Sequence, residues 1–134
     1  MSGMLQKMID LATAAHRNAH APYSGFHVGA CIRTTSGNFY AGCNIENAAY
    51  PESQCAEATA IGMMIADGDR KIAEIVVTGD GEHLCTPCGG CRQRLSEFTD
   101  PETPVHICGP DGLRQTISMG ELLPYAFNAD NLEN

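Results

Sequence analysis

The sequence predicts an α/β protein built as a three-layer α/β/α sandwich. The chain opens with one amphipathic helical segment, continues with two alternating segments joined by a short turn, and then alternates helical with extended apolar segments. A short turn joins antiparallel strands, whereas strands separated by a helix pair in parallel. We therefore expect the early strands to form a hairpin and the later strands to be parallel.

The length and composition favour one domain spanning residues 1–134. The 134 residues match one ordinary domain, and 43% hydrophobic residues are sufficient for a core without disulfide bonds. Residues 1–3 and the tail after about residue 127 are too polar to pack, so we expect the tail to be flexible.

The first three elements follow from hydrophobic periodicity. Residues 4–19 carry apolar side chains at roughly helical spacing, which predicts an amphipathic helix. Residues 27–34 alternate between apolar and other side chains, as a strand does. Residues 36–38, Ser-Gly-Asn, then predict a hairpin turn into a second strand over residues 39–43.

Residues 55–66 predict a second helix of a different kind. Ala, Met and Ile occupy nearly all of its sides, which is typical of a buried helix. Gly62 costs about 1 kcal/mol relative to Ala in a helix, so we expect another element to pack very close to it. Because a small domain rarely buries a helix completely, this segment also suggests oligomerisation.

The remaining segments continue the alternation. We predict a buried strand over residues 71–79, a helix over 87–98, a strand over 105–108 and a short final helix over 119–127. The patterns assign no element to residues 109–118.

Charge and hydropathy exclude several function classes. The net charge is −8, so the surface would repel a phosphate backbone, and we expect no nucleic-acid partner. No apolar run approaches the roughly 18 residues of a membrane span. The first residues also lack a basic segment followed by an apolar one, so we expect no signal peptide and a cytoplasmic location with reduced thiols.

A C-x-x-C motif stands out among the seven cysteines. Cys88 and Cys91 are three residues apart, so on a helix they share one face and can reach one ion. Pro87 suits the start of that helix, where its missing N–H would be unpaired in any case. An odd number of cysteines in a reducing compartment favours metal or redox chemistry, and a thioredoxin-like motif is the alternative to a metal site.

Cys55 and Glu57 stand at the start of the other helix. Residues two apart in a helix interior point in different directions, so they converge only on an object that lies beyond the helix end. Three thiolates beside an unligated carboxylate suit a catalytic zinc, which keeps its fourth position for water. The same set of residue types is known from zinc deaminases, with Glu as the proton carrier.

These motifs resemble those of small, single-domain cytidine deaminases over about residues 5–127. The matching stretches are PYSGFHVGA (22–30), GCNIENAAYP (42–51), CAE (55–57), PCGGCRQ (87–93) and LLP (122–124). The resemblance implies a mixed five-stranded sheet and one Zn²⁺ per subunit, held by Cys55, Cys88 and Cys91. It implies a cytoplasmic hydrolase of pyrimidine salvage that converts cytidine and 2′-deoxycytidine to uridine and 2′-deoxyuridine with release of ammonia.

The resemblance also implies substrate contacts and a shared assembly. Asn44 and Glu46 would hold the ribose hydroxyls, and Phe26 would pack on the substrate. Tyr50 and Phe127 would reach into the active site of a neighbouring subunit in a homotetramer.

One position departs from the family pattern. Many family members carry Arg after the catalytic Glu, whereas this chain has Ala58. Three thiolates around Zn²⁺ leave one net negative charge, which opposes ionisation of water. We expect Arg92 and the two helix N-termini to compensate it, so Arg92→Gln should weaken zinc binding or activity.

Alternative interpretations remain open. A structural zinc would need a fourth ligand such as Cys43 or Cys85. A deaminase of blasticidin-type antibiotics and a nucleotide or polynucleotide deaminase would share the chemistry. A zinc-stabilised binding module would hold the metal without releasing ammonia. Without the resemblance, Asn44 and Glu46 would be expected to serve in a cap or turn, and Phe26 and Phe127 to lie in the core.

Overall fold

Five strands form one mixed sheet in the order β2-β1-β3-β4-β5 in the computed structural model, which describes residues 3–133. The strands are β1 (Val28–Thr34), β2 (Phe39–Cys43), β3 (Ile72–Gly79), β4 (Pro104–Gly109) and β5 (Gly112–Ser118). β1 pairs antiparallel with both β2 and β3, β3 pairs parallel with β4, and β5 returns antiparallel to β4. This arrangement confirms the hairpin, the parallel later pair and the mixed five-stranded sheet.

Helices cover both faces of the sheet. They are α1 (Gly3–Arg17), α2 (Ala56–Ala66), α3 (Gly89–Ser96) and α4 (Met119–Leu122), with short 3-10 turns at Tyr50–Glu52 and Ala129–Leu132. Val76 of β3 packs in a cluster with α1 residues such as Met8, whereas its neighbours Ile75 and Val77 pack with α2 and α3. Since successive strand residues point to opposite faces, the fold is the predicted three-layer sandwich.

Two glycines allow helices to approach the sheet closely. A Cβ on Gly29 of β1 would lie 2.0 Å from the carbonyl oxygen of Ala12 in α1. A Cβ on Gly42 of β2 would lie 2.7 Å from the amide nitrogen of Ala60 in α2. The close contact at Gly42 fixes the distance between α2 and the sheet. This matters for the candidate site, because α2 carries part of it.

The expectation that another element packs very close to Gly62 is wrong within the described chain. Gly62, Met63 and Ala66 are exposed and form a stripe on α2, here called the α2 stripe. A Cβ on Gly62 would meet no atom of residues 3–133 within 4 Å, apart from its own helix and neighbours. The helix therefore buries one side, including Ala60 and Met64, rather than all of them.

Several boundaries differ from the prediction. β5 occupies residues to which the periodicity assigned no element, and the final helix ends at Leu122 rather than near residue 127. Ser118 and Glu121 form a capping box that starts this short helix. Residues 128–133 are exposed, but they include the 3-10 turn at Ala129–Leu132.

No helix within residues 3–133 combines the length and the apolar composition that a membrane crossing requires.

Candidate metal centre and active site

The ends of two helices bring three sulfur atoms together. Cys55 is the N-cap of α2, Cys88 is the N-cap of α3, and Cys91 lies in the first turn of α3. Their Sγ atoms all lie within 4.8 Å of one another, and the Cys55 and Cys88 sulfurs are 3.8 Å apart. The predicted trio of sulfur ligands is therefore brought together at two helix N-termini.

The backbone explains why the sulfurs converge. Cys55 and Cys88 have the extended φ/ψ angles of N-cap residues, −76°/156° and −65°/167°, so both stand just before the first turn of their helices. The positive ends of the two helix dipoles meet at this point and favour thiolates.

This sulfur group fits zinc. A tetrahedral site with Zn–S bonds of about 2.3 Å separates its sulfurs by about 3.8 Å, and soft thiolates are preferred zinc ligands. Neither Cys43 nor Cys85 belongs to the group. Three ligands leave one coordination position open, as a catalytic zinc requires.

The three cysteines share protons unequally. The pKa of Cys55 is lowered to about 6, first by a hydrogen bond with the Cys91 thiol and then by Cys88 and the charge of Arg94. The same hydrogen bond and burial raise the pKa of Cys91. The lowered pKa favours the thiolate of Cys55, which is the form that binds a metal ion.

Glu57 lies in the first turn of α2 and is 4% exposed. The pKa of its carboxyl group is raised to about 7, mainly by burial and to a smaller extent by the nearby Cys55. The carboxyl group also contacts the Cys91 thiol. A carboxyl group with a pKa near neutrality can both accept and return a proton.

A cavity of about 300 Å³ opens onto this group. Its lining includes Cys55, Glu57 and Cys88, and also Phe26, Asn44, Glu46, Cys85 and Thr86. Its volume lies at the lower end of small-molecule sites. No Lys or Arg is among the described residues that line it.

Asn44 and Glu46 fix the loop that carries Phe26. The side-chain amide of Asn44 accepts a hydrogen bond from the Val28 amide and donates one to the Phe26 carbonyl, both at 2.9 Å. The Glu46 carboxylate accepts hydrogen bonds from the Ser24 hydroxyl and from the amides of Tyr23 and Ser24. The Ser24 hydroxyl contributes most to lowering the pKa of Glu46.

These loop contacts were not predicted from sequence. They involve backbone groups of residues about twenty positions away, and only the fold brings them into reach. Phe26 itself is 41% exposed and lines the cavity rather than the core.

Tyr50 and Phe127 lie outside this cavity. Tyr50 is 70% exposed and packs its ring against Tyr23, with ring centroids 5.8 Å apart. Phe127 is 57% exposed, and its carbonyl accepts a hydrogen bond from the Gln93 side chain. The structure does not bring either ring into the active site of its own chain.

The guanidinium of Arg92, which the sequence suggests as a charge-compensating group, is held by three hydrogen bonds. It donates hydrogen bonds to the carbonyl oxygens of Pro87 and Leu122 and to the hydroxyl of Thr86, at 2.8, 2.9 and 3.1 Å. None of these partner atoms is a sulfur. Arg92 therefore fixes the segment that leads into Cys88.

A different arginine contacts a ligand sulfur. Nη1 of Arg94 lies 3.9 Å from Sγ of Cys91. The spacing of three residues between them on a helix was the available sequence signal, because such residues share a face.

Comparisons with known proteins agree with this site. The family model for the cytidine and deoxycytidylate deaminase zinc-binding region matches residues 3–107. A cytidine deaminase from Sporosarcina psychrophila is 38% identical over 128 residues, covering 96% of this chain and 94% of that protein. Another from Halalkalibacterium halodurans is 38% identical over 129 residues, covering 96% and 98%.

Solved structures give the same result. The cytidine deaminase from Burkholderia pseudomallei superposes with a TM-score of 0.87 at 40% identity, covering 95% of this chain and all of that one. The enzyme from Mycobacterium tuberculosis superposes with a TM-score of 0.78 at 32% identity, covering 91% and 95%.

Fold and site together define a zinc-dependent deaminase. More particularly, the chain belongs to the cytidine and deoxycytidylate deaminase zinc-binding family.

Proposed function

We propose that the chain catalyses the hydrolytic deamination of cytidine and 2′-deoxycytidine to uridine and 2′-deoxyuridine, with release of ammonia. The observation that carries the proposal is the buried carboxyl group of Glu57, which lines the same cavity as two sulfurs of the three-cysteine group. A structural zinc site has no use for such a carboxyl group, whereas hydrolysis of an amidine needs a proton carrier.

The metal would be held by Cys55, Cys88 and Cys91, one ion per subunit. When bound, zinc supplies Lewis-acid chemistry that makes water a better nucleophile at neutral pH.

Glu57 performs the proton transfers. Its carboxylate accepts a proton from the attacking water and delivers it to ring N3 while the new C4–O bond forms. The carboxylate then takes the remaining proton from the new C4 hydroxyl and passes it to the amine, so that the C4=O bond forms as the C4–N bond breaks and ammonia leaves. The burial of Glu57 restricts competing exchange with bulk water.

The rest of the cavity orients the nucleoside. Phe26 offers an aromatic surface for the substrate. Asn44 and Glu46 line the same cavity, and the lone pairs that their side-chain oxygens do not use within the loop would accept hydrogen bonds from the ribose hydroxyls. The lining lacks Lys and Arg among the described residues, which favours an uncharged nucleoside over a nucleotide.

The chain acts as one domain and assembles as a homotetramer in the cytoplasm. The exposed α2 stripe of Gly62, Met63 and Ala66 supports an assembly in which copies pack together. Tyr50 and Phe127 are exposed and outside the cavity of their own chain, which suits a role at a neighbour's site.

Zinc-loaded protein should be mixed separately with cytidine, 2′-deoxycytidine and deoxycytidine monophosphate, while ultraviolet absorbance and ammonia are followed. We expect both nucleosides to be deaminated much faster than the monophosphate. Bound zinc without ammonia release would indicate a binding module instead, and preference for the monophosphate would indicate a nucleotide deaminase.

A further inference from the structure

Arg94 is a cation at the sulfur group that the proposed reaction does not otherwise use. Three thiolates around Zn²⁺ leave one net negative charge, and residue 58 of this chain is Ala. Arg92 directs its guanidinium to two carbonyl oxygens and a hydroxyl. Another positive group near the sulfurs would therefore stabilise the site.

The geometry of α3 places Arg94 over the sulfur of Cys91. Helix side chains lean towards the N-terminus, so Arg94 reaches back across the turn that contains Cys91 and Gly90. Nη1 lies 3.9 Å from Sγ of Cys91. A Cβ on Gly90 would lie 3.1 Å from the same Nη1, so the absence of a side chain there leaves room for the guanidinium.

We propose that Arg94 is the charge-compensating residue of this zinc site and strengthens zinc binding by electrostatic attraction to the thiolates, above all to that of Cys91, which its guanidinium contacts. The inference deepens the proposed function and rests on its zinc site. Because Arg94 is exposed, the attraction is moderate in size and is screened by salt.

The test compares zinc dissociation constants, obtained by competition with a chelator, for four proteins. These are the unmodified chain, Arg94→Gln, Arg94→Lys and the matched control Arg17→Gln. Arg17 is also exposed, and its replacement changes the net charge equally at the end of α1.

We expect Arg94→Gln to raise the zinc dissociation constant about 3- to 10-fold at low salt, and Arg94→Lys to stay within about 2-fold. Arg17→Gln should leave the zinc dissociation constant unchanged. In about 1 M salt the Debye length falls to about 3 Å, so the difference between Arg94→Gln and the unmodified chain should shrink.

If the zinc dissociation constant of Arg94→Gln equals that of the unmodified chain, the inference is overturned. An equal loss in Arg94→Lys, or a loss that salt does not reduce, would indicate a packing role and would also overturn it. If the unmodified chain binds no zinc, the proposed function fails and the inference fails with it. Equal zinc affinity of all four proteins, with normal deamination, would reject only the role of Arg94.

Discussion

At the scale of single residues, the cavity wall depends on a missing side chain. Gly79 ends β3, and a Cβ there would lie 2.5 Å from Sγ of Cys85 and 3.3 Å from Cζ of Phe26. Cys85 and Phe26 both line the cavity. Because Gly79 has no side chain, Cys85 and Phe26 can occupy their positions in the cavity wall.

Gly79→Ala should raise KM for cytidine about tenfold with normal zinc content, because its methyl group must push Cys85 and Phe26 into the cavity. Steady-state kinetics with metal analysis measures both quantities. The double variant Gly79→Ala/Cys85→Gly removes the obstructing side chain and should recover part of the loss. An unchanged KM in Gly79→Ala would contradict this account of the wall.

At the scale of elements, the site depends on how the N-termini of α2 and α3 are held. Gly42 admits α2 close to the sheet, and Arg92 ties the segment before α3 to Leu122. Arg92 and Arg94 are neighbours on one helix with different roles: Arg92 positions a segment through direct hydrogen bonds, whereas Arg94 contacts a sulfur.

Arg92→Gln should lower both the melting temperature and the zinc affinity, because three hydrogen bonds from a half-buried cation are lost, at about 0.5–1.5 kcal/mol each. Thermal unfolding and chelator competition measure these effects. Arg92→Lys should recover little, since an ammonium cannot reproduce the planar fork, and added salt should not reduce the loss. If Arg92→Lys restored both the melting temperature and the zinc affinity in full, Arg92 would act through its charge alone.

The elements also show what the sequence could predict. Strongly periodic segments such as residues 4–19 and 27–34 gave elements of the right type, and cysteine spacing gave the three sulfurs that the fold brings together. β5 was missed because it is an edge strand whose side chains are mostly not buried, so it lacks a clear apolar alternation. The contacts of Arg92 and Arg94 depend on side-chain conformation and on distant backbone groups, which spacing does not encode.

At the scale of the whole molecule, one helix serves both the site and the proposed assembly. The N-terminus of α2 carries Cys55 and Glu57, and its middle carries the exposed α2 stripe. An apolar stripe on a helix that a small fold leaves uncovered is suited to packing against another copy. Assembly and catalysis should therefore be lost together when the stripe is disrupted.

Met63→Arg should lower the mass in solution from that of a tetramer of 14.3 kDa subunits, because it places a charge in the proposed interface. It should also reduce kcat/KM, since Tyr50 and Phe127 would no longer reach a neighbour. Light scattering and kinetics measure the two effects. Met4→Arg is a matched control, because Met4 is also 49% exposed but lies on α1. An intact tetramer in Met63→Arg would contradict the proposed interface.

The most direct test of the central claim is to measure zinc content and cytidine turnover in the same sample of Glu57→Gln. Gln is close in size to Glu but cannot carry the proton. Because Glu57 does not belong to the three-cysteine group, its replacement should leave the zinc bound. We expect about one zinc per subunit and a turnover lowered by about 10² to 10⁴ relative to the unmodified chain. Near-normal turnover with zinc bound would contradict the assignment of Glu57 as the proton carrier.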